Sequence, residues 1–374
     1  MSRVWLSSPH MGGKEKEYVT EAFDTNWVAP LGPNVDQFEQ QLSDFVGVKA
    51  AAALSSGTSA LHLALILLGV KTDDVVLCQS FTFAASAFPI RYCGAAPVFI
   101  DSEKDTWNID PELLEKAIQD CISKGKKPAA MIVVHLYGMP AKMNEVLEIA
   151  KKYEVPVIED AAEALGSTYF GKACGGFGEI GILSFNGNKI ITTSGGGALV
   201  SNNEEWVKKA RFYSTQSKEP APFYLHNELG YNYRMSNICA GIGRGQMEVL
   251  PLRVDKRREN FERYRAAFAP FEGISFLAEP EGFFSNRWLT TIVFDENIYA
   301  SGTNEKIRVE LEKHNIETRP LWKPLHQQPV FAEFTSYNNG VSDKLFANGL
   351  CLPSGSNITD EALNNVIEAI KNNL

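Results

Sequence analysis

The sequence predicts an α/β fold: a mainly parallel, seven-stranded-type sheet flanked by helices, followed by a smaller α+β region. Three observations carry this. Short apolar runs alternate with helical patterns from about residue 36 to 210, as parallel strands require because each crossover needs a helix. Those runs are apolar throughout instead of alternating, which suits strands covered on both faces. After Asn237 the alternation stops, and 374 residues exceed what one simple core accommodates.

Residues 35–46 read as an amphipathic helix and 50–54 as a short strand. Residues 58–68 are apolar nearly all round, which marks a buried helix. Strands follow at 75–78, 96–100, 130–134 and 155–158. Between them, residues 111–124 form a helix, with Asp110 as N-cap and Pro111 in the first turn. Residues 142–153 form another. A helical region at 238–268, with the basic cluster Arg253, Lys256, Arg257 and Arg258, links the two parts. Beyond it lie a strand at 288–294, a helix at 304–314 and a terminal helix from Asp360. The expected division is an N-terminal arm (1–25), a large α/β domain (26–250) and a small α+β domain (251–374), with the arm packing near the small domain.

A formal net charge of −9 argues against a general nucleic-acid or anionic-membrane surface, although a local basic pocket remains compatible with it. The N-terminus has no basic start followed by a long apolar region, so no signal peptide is expected. The most apolar run, residues 60–70, is far short of a membrane span. Cys78, Cys93, Cys121, Cys174, Cys239 and Cys351 include no CxxC pair. They are expected to be reduced and mostly buried in a cytoplasmic protein with no metal site.

Chemistry gathers at the ends of the strands. Ser55-Ser-Gly57-Thr58-Ser59 leaves a strand and opens a helix, where free N–H groups suit a phosphate and Gly57 allows close approach. Its plainer reading is a Ser N-cap. Phe81 and Phe83 follow the next strand, and either ring could stack on a flat cofactor or pack in the core. Asp160 ends the strand Val155-Pro-Val-Ile-Glu-Asp160, where ligands of open parallel sheets bind. There a carboxylate can hold a pyridinium nitrogen, or simply cap a helix. Glu163 is three residues on. Lys189 lies five residues after Ser184 and before the glycine triplet ending at Gly197, in no surface-like company. A Schiff-base lysine and a pyridinium-binding acid are the groups pyridoxal phosphate needs most. Phosphate turn, aromatic, Asp, Ser and Lys in this order point to a fold-type-I pyridoxal phosphate enzyme.

At these residues the chain resembles the DegT–StrS family of nucleotide-sugar aminotransferases over essentially its whole length. The resemblance is carried by Asn26-Trp-Val-Ala-Pro-Leu-Gly-Pro33, Ser56-Gly-Thr-Ser-Ala-Leu61, Ser80-Phe-Thr-Phe-Ala84, Ile158-Glu-Asp-Ala-Ala-Glu163, Ser184-Phe-Asn-Gly-Asn-Lys189, Gly230-Tyr-Asn-Tyr-Arg-Met-Ser236 and Thr318-Arg-Pro-Leu-Trp-Lys-Pro-Leu-His326. Within the family it is similar to the branch that includes the PglE and EpsN proteins of bacterial glycan and exopolysaccharide pathways.

That resemblance implies roles. Lys189 would form the covalent link to pyridoxal 5'-phosphate and later shuttle protons, the cofactor passing through its pyridoxamine form. Asp160 would pair with the pyridine nitrogen, and Phe83, or else Phe81, would stack on the ring. Gly57, Thr58 and Ser184 would hold the phosphate. Asn232 would reach the phosphate of a neighbouring subunit, which requires a homodimer with shared sites. Glu163 stands where relatives often have His or Gln. Trp27, Arg319, Trp322, Lys323 and His326 are candidates for the sugar-nucleotide site. Arg234 would brace the Asn232 loop or meet the substrate.

The implied reaction is transamination, with L-glutamate as amino donor and a UDP-linked 4-keto-6-deoxy-N-acetylhexosamine aminated at C4. Alternatives on the same scaffold are a C3 aminotransferase, a sugar dehydratase, in which histidine replaces the lysine present here, and a non-catalytic cofactor-binding regulator, which would usually add a DNA-binding domain. A Rossmann dehydrogenase would need GxGxxG after the first strand, and Ser55-Ser-Gly-Thr-Ser-Ala does not supply it.

Overall fold

The alternation of strands and helices builds one large sheet. The computed structural model describes residues 3–374. After helices α1 (Glu15–Asp24) and α2 (Pro33–Val46), strand β1 (Ala50–Leu54) leads to α3 (Gly57–Leu67), β2 (Val75–Gln79), α4 (Phe88–Tyr92), β3 (Ala96–Ile100), α5 (Pro111–Ser123), β4 (Ala130–Val134), α6 (Met143–Tyr153) and β5 (Val157–Asp160). A hairpin of β6 (Thr168–Tyr169) and β7 (Lys172–Ala173) precedes β8 (Ile180–Ser184), β9 (Gly197–Ser201) and α7 (Glu204–Ser214). Strand β5 starts at Val157 and not at 155, because Pro156 has no N–H for the ladder; its carbonyl accepts from Met131 instead.

Helix α8 (Asn237–Phe268) leads to β10 (Ile274–Phe276), β11 (Phe283–Phe284), β12 (Thr290–Phe294), α9 (Thr303–Lys313), β13 (Arg319–Pro320), β14 (Ser336–Tyr337), α10 (Val341–Asn348), β15 (Gly349–Leu352) and α11 (Asp360–Lys371). The large sheet has the order β1-β9-β8-β5-β4-β2-β3-β14, and β9 alone runs antiparallel to its neighbours. Alternate residues of each strand enter different cores. Ala52, Leu54, Cys78, Ile132, Ile158 and Ile182 pack beside α3 and α4. Ala51, Ala53 and Leu183 pack with α2 and α8, and Leu77, Met131 and Val157 with α5 and α6. Both faces are therefore covered, which is why the strands read as unbroken apolar runs.

Seven strands before residue 202 form the expected mainly parallel sheet. An eighth, β14, comes from the C-terminal third and pairs parallel with β3. Its two residues carry too little pattern to announce a strand. They close the open edge of β3 through Phe99 N–H to Thr335 O and Asp101 N–H to Tyr337 O. A second sheet, β10-β12-β15-β13, packs on α9, α11 and the end of α8. A third, small sheet joins β11 to β6 and β7. The extended N-terminal segment bridges Val4 to Ile316, accepts Ser354 N–H at Leu6 O, and then passes over Asn188.

All six cysteines are free, four of them buried. Among the described residues no helix is long and apolar enough to cross a membrane, and no cluster of side chains could hold a metal ion.

Candidate active site

A cavity of about 320 Å³ opens beyond the C-terminal ends of β2, β4, β5 and β8, the region where open parallel sheets bind ligands. Its wall includes Gly57, Thr58, Phe83, Asp160, Glu163, Ser184, Lys189 and Trp322. Residues spread over more than 260 positions of sequence thus share one space, because parallel strands deliver all their C-terminal ends to one side.

One end of the cavity is the start of α3. Ser56 caps the helix by accepting the N–H of Ser59 at 3.0 Å, so the capping reading of this serine holds. The first-turn N–H groups of Gly57 and Thr58 have no intrahelical acceptor. Ser184 closes in from β8: a Cβ on Gly57 would stand 3.1 Å from that of Ser184. Below them, a Cβ on Gly197 would come within 2.3 Å of Gly57 N. The glycines let three backbones converge, leaving two free N–H groups and a hydroxyl as a cradle for an anion.

Asp160, 8% exposed, stands in the same wall. Its Oδ2 accepts the hydroxyl of Ser86 at 2.7 Å, and its Oδ1 accepts Ala162 N–H at 3.2 Å. Since Ser86 spends its one proton on Asp160, Thr82 donates to Ser86 at 3.0 Å. Phe83 lines the cavity and is 56% exposed, while Phe81 is fully buried in the core.

Lys189 lies on a loop after β8, with its Nζ 3.5 Å from Oε1 of Glu163 and 4.2 Å from the centre of the Trp288 ring. Oε2 of Glu163 accepts Tyr137 N–H at 2.7 Å. Burial pushes the Glu163 carboxyl above its ordinary range, opposed by Lys189 and the Tyr137 N–H. Tyr137 adopts a left-handed backbone (φ 55°) to aim that N–H. Its ring stacks on Trp322 at 5.8 Å, and Trp322 tilts against Phe83 at 5.8 Å. The buried Nε1 of Trp322 has no hydrogen-bond partner.

Asn232, Trp27, Arg319, Lys323 and His326 do not line this cavity. Asn232 is exposed, in a segment bridged to Thr215. Arg319 points its guanidinium at Glu317, 2.9 Å away. His326 binds Ser80 Oγ at 2.7 Å and Asp343 at 3.0 Å. Trp27 and Lys323 are exposed. Arg234 pairs with Glu39 and donates to Ala53 O, so it braces its own segment against β1.

Sequence reasoning passed over Ser86, Tyr137, Asn286 and Trp288. Asn286 is fully buried; its amide donates to the carbonyls of Glu163 and Leu165, and its Oδ1 accepts Trp288 N–H. Ser86 follows the aromatic segment by three residues and could have been found there. Nothing in the local pattern around Asn286-Arg-Trp288 signals contact with Glu163 and Lys189, far upstream in sequence.

These groups fit pyridoxal phosphate: one cavity wall holds an anion cradle, a buried acid, an amine and an exposed aromatic face. The family model for the DegT/DnrJ/EryC1/StrS aminotransferase family matches residues 9–371. The EpsN protein of Bacillus subtilis (strain 168) is 54% identical over 372 residues, 98% of this chain and 95% of its own. GDP-perosamine synthase of Caulobacter vibrioides is 35% identical, covering 99% and 98%. UDP-4-amino-4,6-dideoxy-N-acetyl-beta-L-altrosamine transaminase of Campylobacter jejuni is 35% identical, covering 79% and 77%. Among solved structures, the PLP form of Spr1654 from Streptococcus pneumoniae superposes with a TM-score of 0.90 at 27% identity, covering 98% and 97%. The chain belongs to the DegT/DnrJ/EryC1/StrS aminotransferase family and is a pyridoxal-phosphate-dependent aminotransferase.

Proposed function

We propose that this aminotransferase converts a ketone of a nucleotide-linked sugar to an amine, most specifically C4 of a UDP-4-keto-6-deoxy-N-acetylhexosamine, with L-glutamate as donor, for bacterial glycan or exopolysaccharide synthesis. The observation that carries the reaction type is the meeting of Lys189, Asp160 and the Gly57–Ser184 cradle around one cavity. The sugar assignment draws support from the names of the relatives, one a UDP-sugar transaminase and another a GDP-sugar synthase. Because those two differ in nucleotide, a GDP-linked keto-sugar is the second reading.

Gly57, Thr58 and Ser184 would hold the cofactor's phosphate, Asp160 its pyridine nitrogen, and Phe83 the face of its ring. Bound pyridoxal phosphate supplies the electron sink that lets a C–H bond beside nitrogen break. Nζ of Lys189 takes the α-proton of the amino donor in one half-reaction and returns a proton to the aminated sugar carbon in the other. Trp322, with its unpartnered indole N–H in the wall, would orient the sugar nucleotide. Trp27, Arg319, Lys323 and His326, which do not line the cavity, would meet a nucleotide only where it extends beyond that wall.

A homodimer with shared sites completes the reading. The segment before Asn232 exposes Phe223, Tyr224 and Leu229 at 64%, 81% and 88%. So much bare apolar surface on one loop suits a covering second copy, which would bring Asn232 to the other subunit's phosphate cradle.

The first test is a visible spectrum of the purified protein before and after L-glutamate, followed by UDP- and GDP-linked keto-sugars. A yellow band that glutamate converts to the pyridoxamine form, and that a UDP keto-sugar regenerates, is the expected result. Regeneration by the GDP sugar alone would move the assignment to the second reading. A band that ignores glutamate would point to another donor.

A further inference from the structure

A chain of hydrogen bonds ends on the peptide that carries the lysine. The carbonyl of Asn188 accepts two side-chain donors, the Ser7 hydroxyl at 2.7 Å and the Trp288 indole N–H at 2.7 Å. Ser7 in turn accepts Nη2 of Arg257 at 2.9 Å. The other arm of the same guanidinium, Nη1, donates to the carbonyl of Trp288. One arginine on α8 therefore grips both groups that grip Asn188. The Trp288 ring also lies against Nζ of Lys189.

Arg257 is 1% exposed, and among the described residues no carboxylate pairs with it. Burial, with Arg253 nearby, pushes its pKa down to about 9. A buried cation without a counter-ion is costly, and an apolar side chain would fill the space more cheaply. What the guanidinium adds is a rigid fork, two donors at fixed spacing, and both reach toward the lysine peptide.

We propose that Arg257, Ser7 and Trp288 are positioning residues for Lys189, a relay running from α8 through the N-terminal segment that fixes the Asn188–Lys189 peptide and rests Nζ against a ring. The proposal rests on the reading of Lys189 as the cofactor-binding, proton-moving residue. A lysine has four rotatable side-chain bonds and here sits on a loop. Holding its peptide from two sides restricts where the amine can go, and misplacement of a reacting group costs rate steeply. The N-terminal segment, whose Ser7 hydroxyl does not line the cavity, becomes a working part of the site.

The test uses Ser7→Ala, Ser7→Thr and Trp288→Phe in the full chain loaded with pyridoxal phosphate. The readouts are the thermal midpoint, the pH titration of the bound cofactor's absorbance band, and kcat separately from KM. Ser7→Ala is expected to keep its KM for the sugar and to lower its thermal midpoint somewhat, since a buried Nη2 of Arg257 loses its acceptor. It should lower kcat on the order of tenfold and displace the titration, which reads the Lys189 nitrogen. Ser7→Thr, which keeps the hydroxyl, should restore both. Trp288→Phe keeps an aromatic face but loses the indole N–H together with part of the ring, so its kcat and titration, which should move the same way, are read beside its thermal midpoint; it decides the matter if Ser7→Ala fails to fold. Wild-type kcat and titration in both variants, a shift in the thermal midpoint alone, or no rescue by threonine would each overturn the relay. A wild-type protein that takes up no cofactor would instead sink the functional reading, a separate outcome.

Discussion

Nζ of Lys189 stands 3.5 Å from Oε1 of Glu163, with the two side chains 12% and 5% exposed. This is a buried pair at the centre of the site, and its acid is held above its ordinary value of 4.5 by burial. A raised pKa means that, above about pH 4.5, the native state binds more protons at Glu163 than the unfolded chain does. The contribution to stability is therefore fully present below that pH and is lost as pH rises through the native value. Glutamine removes the titration but keeps an acceptor for Tyr137 N–H. In the cofactor-free protein, the stability of Glu163→Gln relative to wild type should accordingly rise from pH 4 to pH 7, as read by urea unfolding. A difference that falls instead would mean that Lys189 keeps Glu163 ionised in the native state.

Asp160 depends on Ser86, whose hydroxyl is its only side-chain donor among the described residues. A hydrogen bond to a carboxylate contributes about 1.5–3 kcal/mol. Ser86→Ala should weaken cofactor retention on the order of tenfold, while Asp160→Asn should do more harm to kcat than to retention, since it removes the acid that favours a protonated pyridine nitrogen. Cofactor titration of the apoprotein and steady-state kinetics separate the two. Equal retention in Ser86→Ala and wild type would show that the serine does not tune the acid.

Gly197 lies under the proposed phosphate cradle, where an added Cβ would stand 2.3 Å from Gly57 N and 2.4 Å from the carbonyl carbon of Ser56. Both neighbours are backbone, so nothing can rotate away. Gly197→Ala should cost about 1–3 kcal/mol of stability and should also loosen the cofactor, because the first turn of α3 has to shift. A variant with wild-type thermal midpoint and retention would mean that the two strands and the helix start yield more easily than their spacing suggests.

Much of this site was legible in the sequence because its parts sit where strands end. Asp160 and the Ser56–Thr58 turn each follow an apolar run, so periodicity located them and residue type suggested the chemistry, while Ser184 was singled out by its place five residues before Lys189. Lys189 stood out by its neighbours, which are small and apolar where a surface lysine would have polar ones. Between Phe81 and Phe83, alternation along an extended segment puts one ring in the core and the other at the cavity, but no pattern says which. Trp288 and Asn286 were illegible for a different reason. They reach the site from beyond α8 by tertiary packing, and their roles depend on Asn188 and Glu163, which no local periodicity connects to them. His326 matched a family segment, yet its ring is held between Ser80 and Asp343, partners that only the folded chain brings together.

The proposed sharing of sites between two subunits makes the sharpest prediction. Lys189→Ala alone should fold and lose transamination, because it removes both the attachment nitrogen and the proton carrier. Asn232→Ala alone should retain the lysine chemistry but hold its cofactor less firmly, by about 1.5–3 kcal/mol if a charged phosphate loses one donor. In a two-fold dimer each site would combine Lys189 of one chain with Asn232 of the other. Co-expressing the two variants with different tags then yields mixed dimers in which one site carries both lesions and the other carries neither. Random assembly should restore about a quarter of the wild-type sites, and purification through both tags should raise that to about half. Mixed dimers whose one working site holds its cofactor as loosely as Asn232→Ala would place Asn232 in the same subunit as the lysine it serves, and undiminished retention in Asn232→Ala itself would place it away from the site. In either case the exposed loop bearing Phe223, Tyr224 and Leu229 would need another partner.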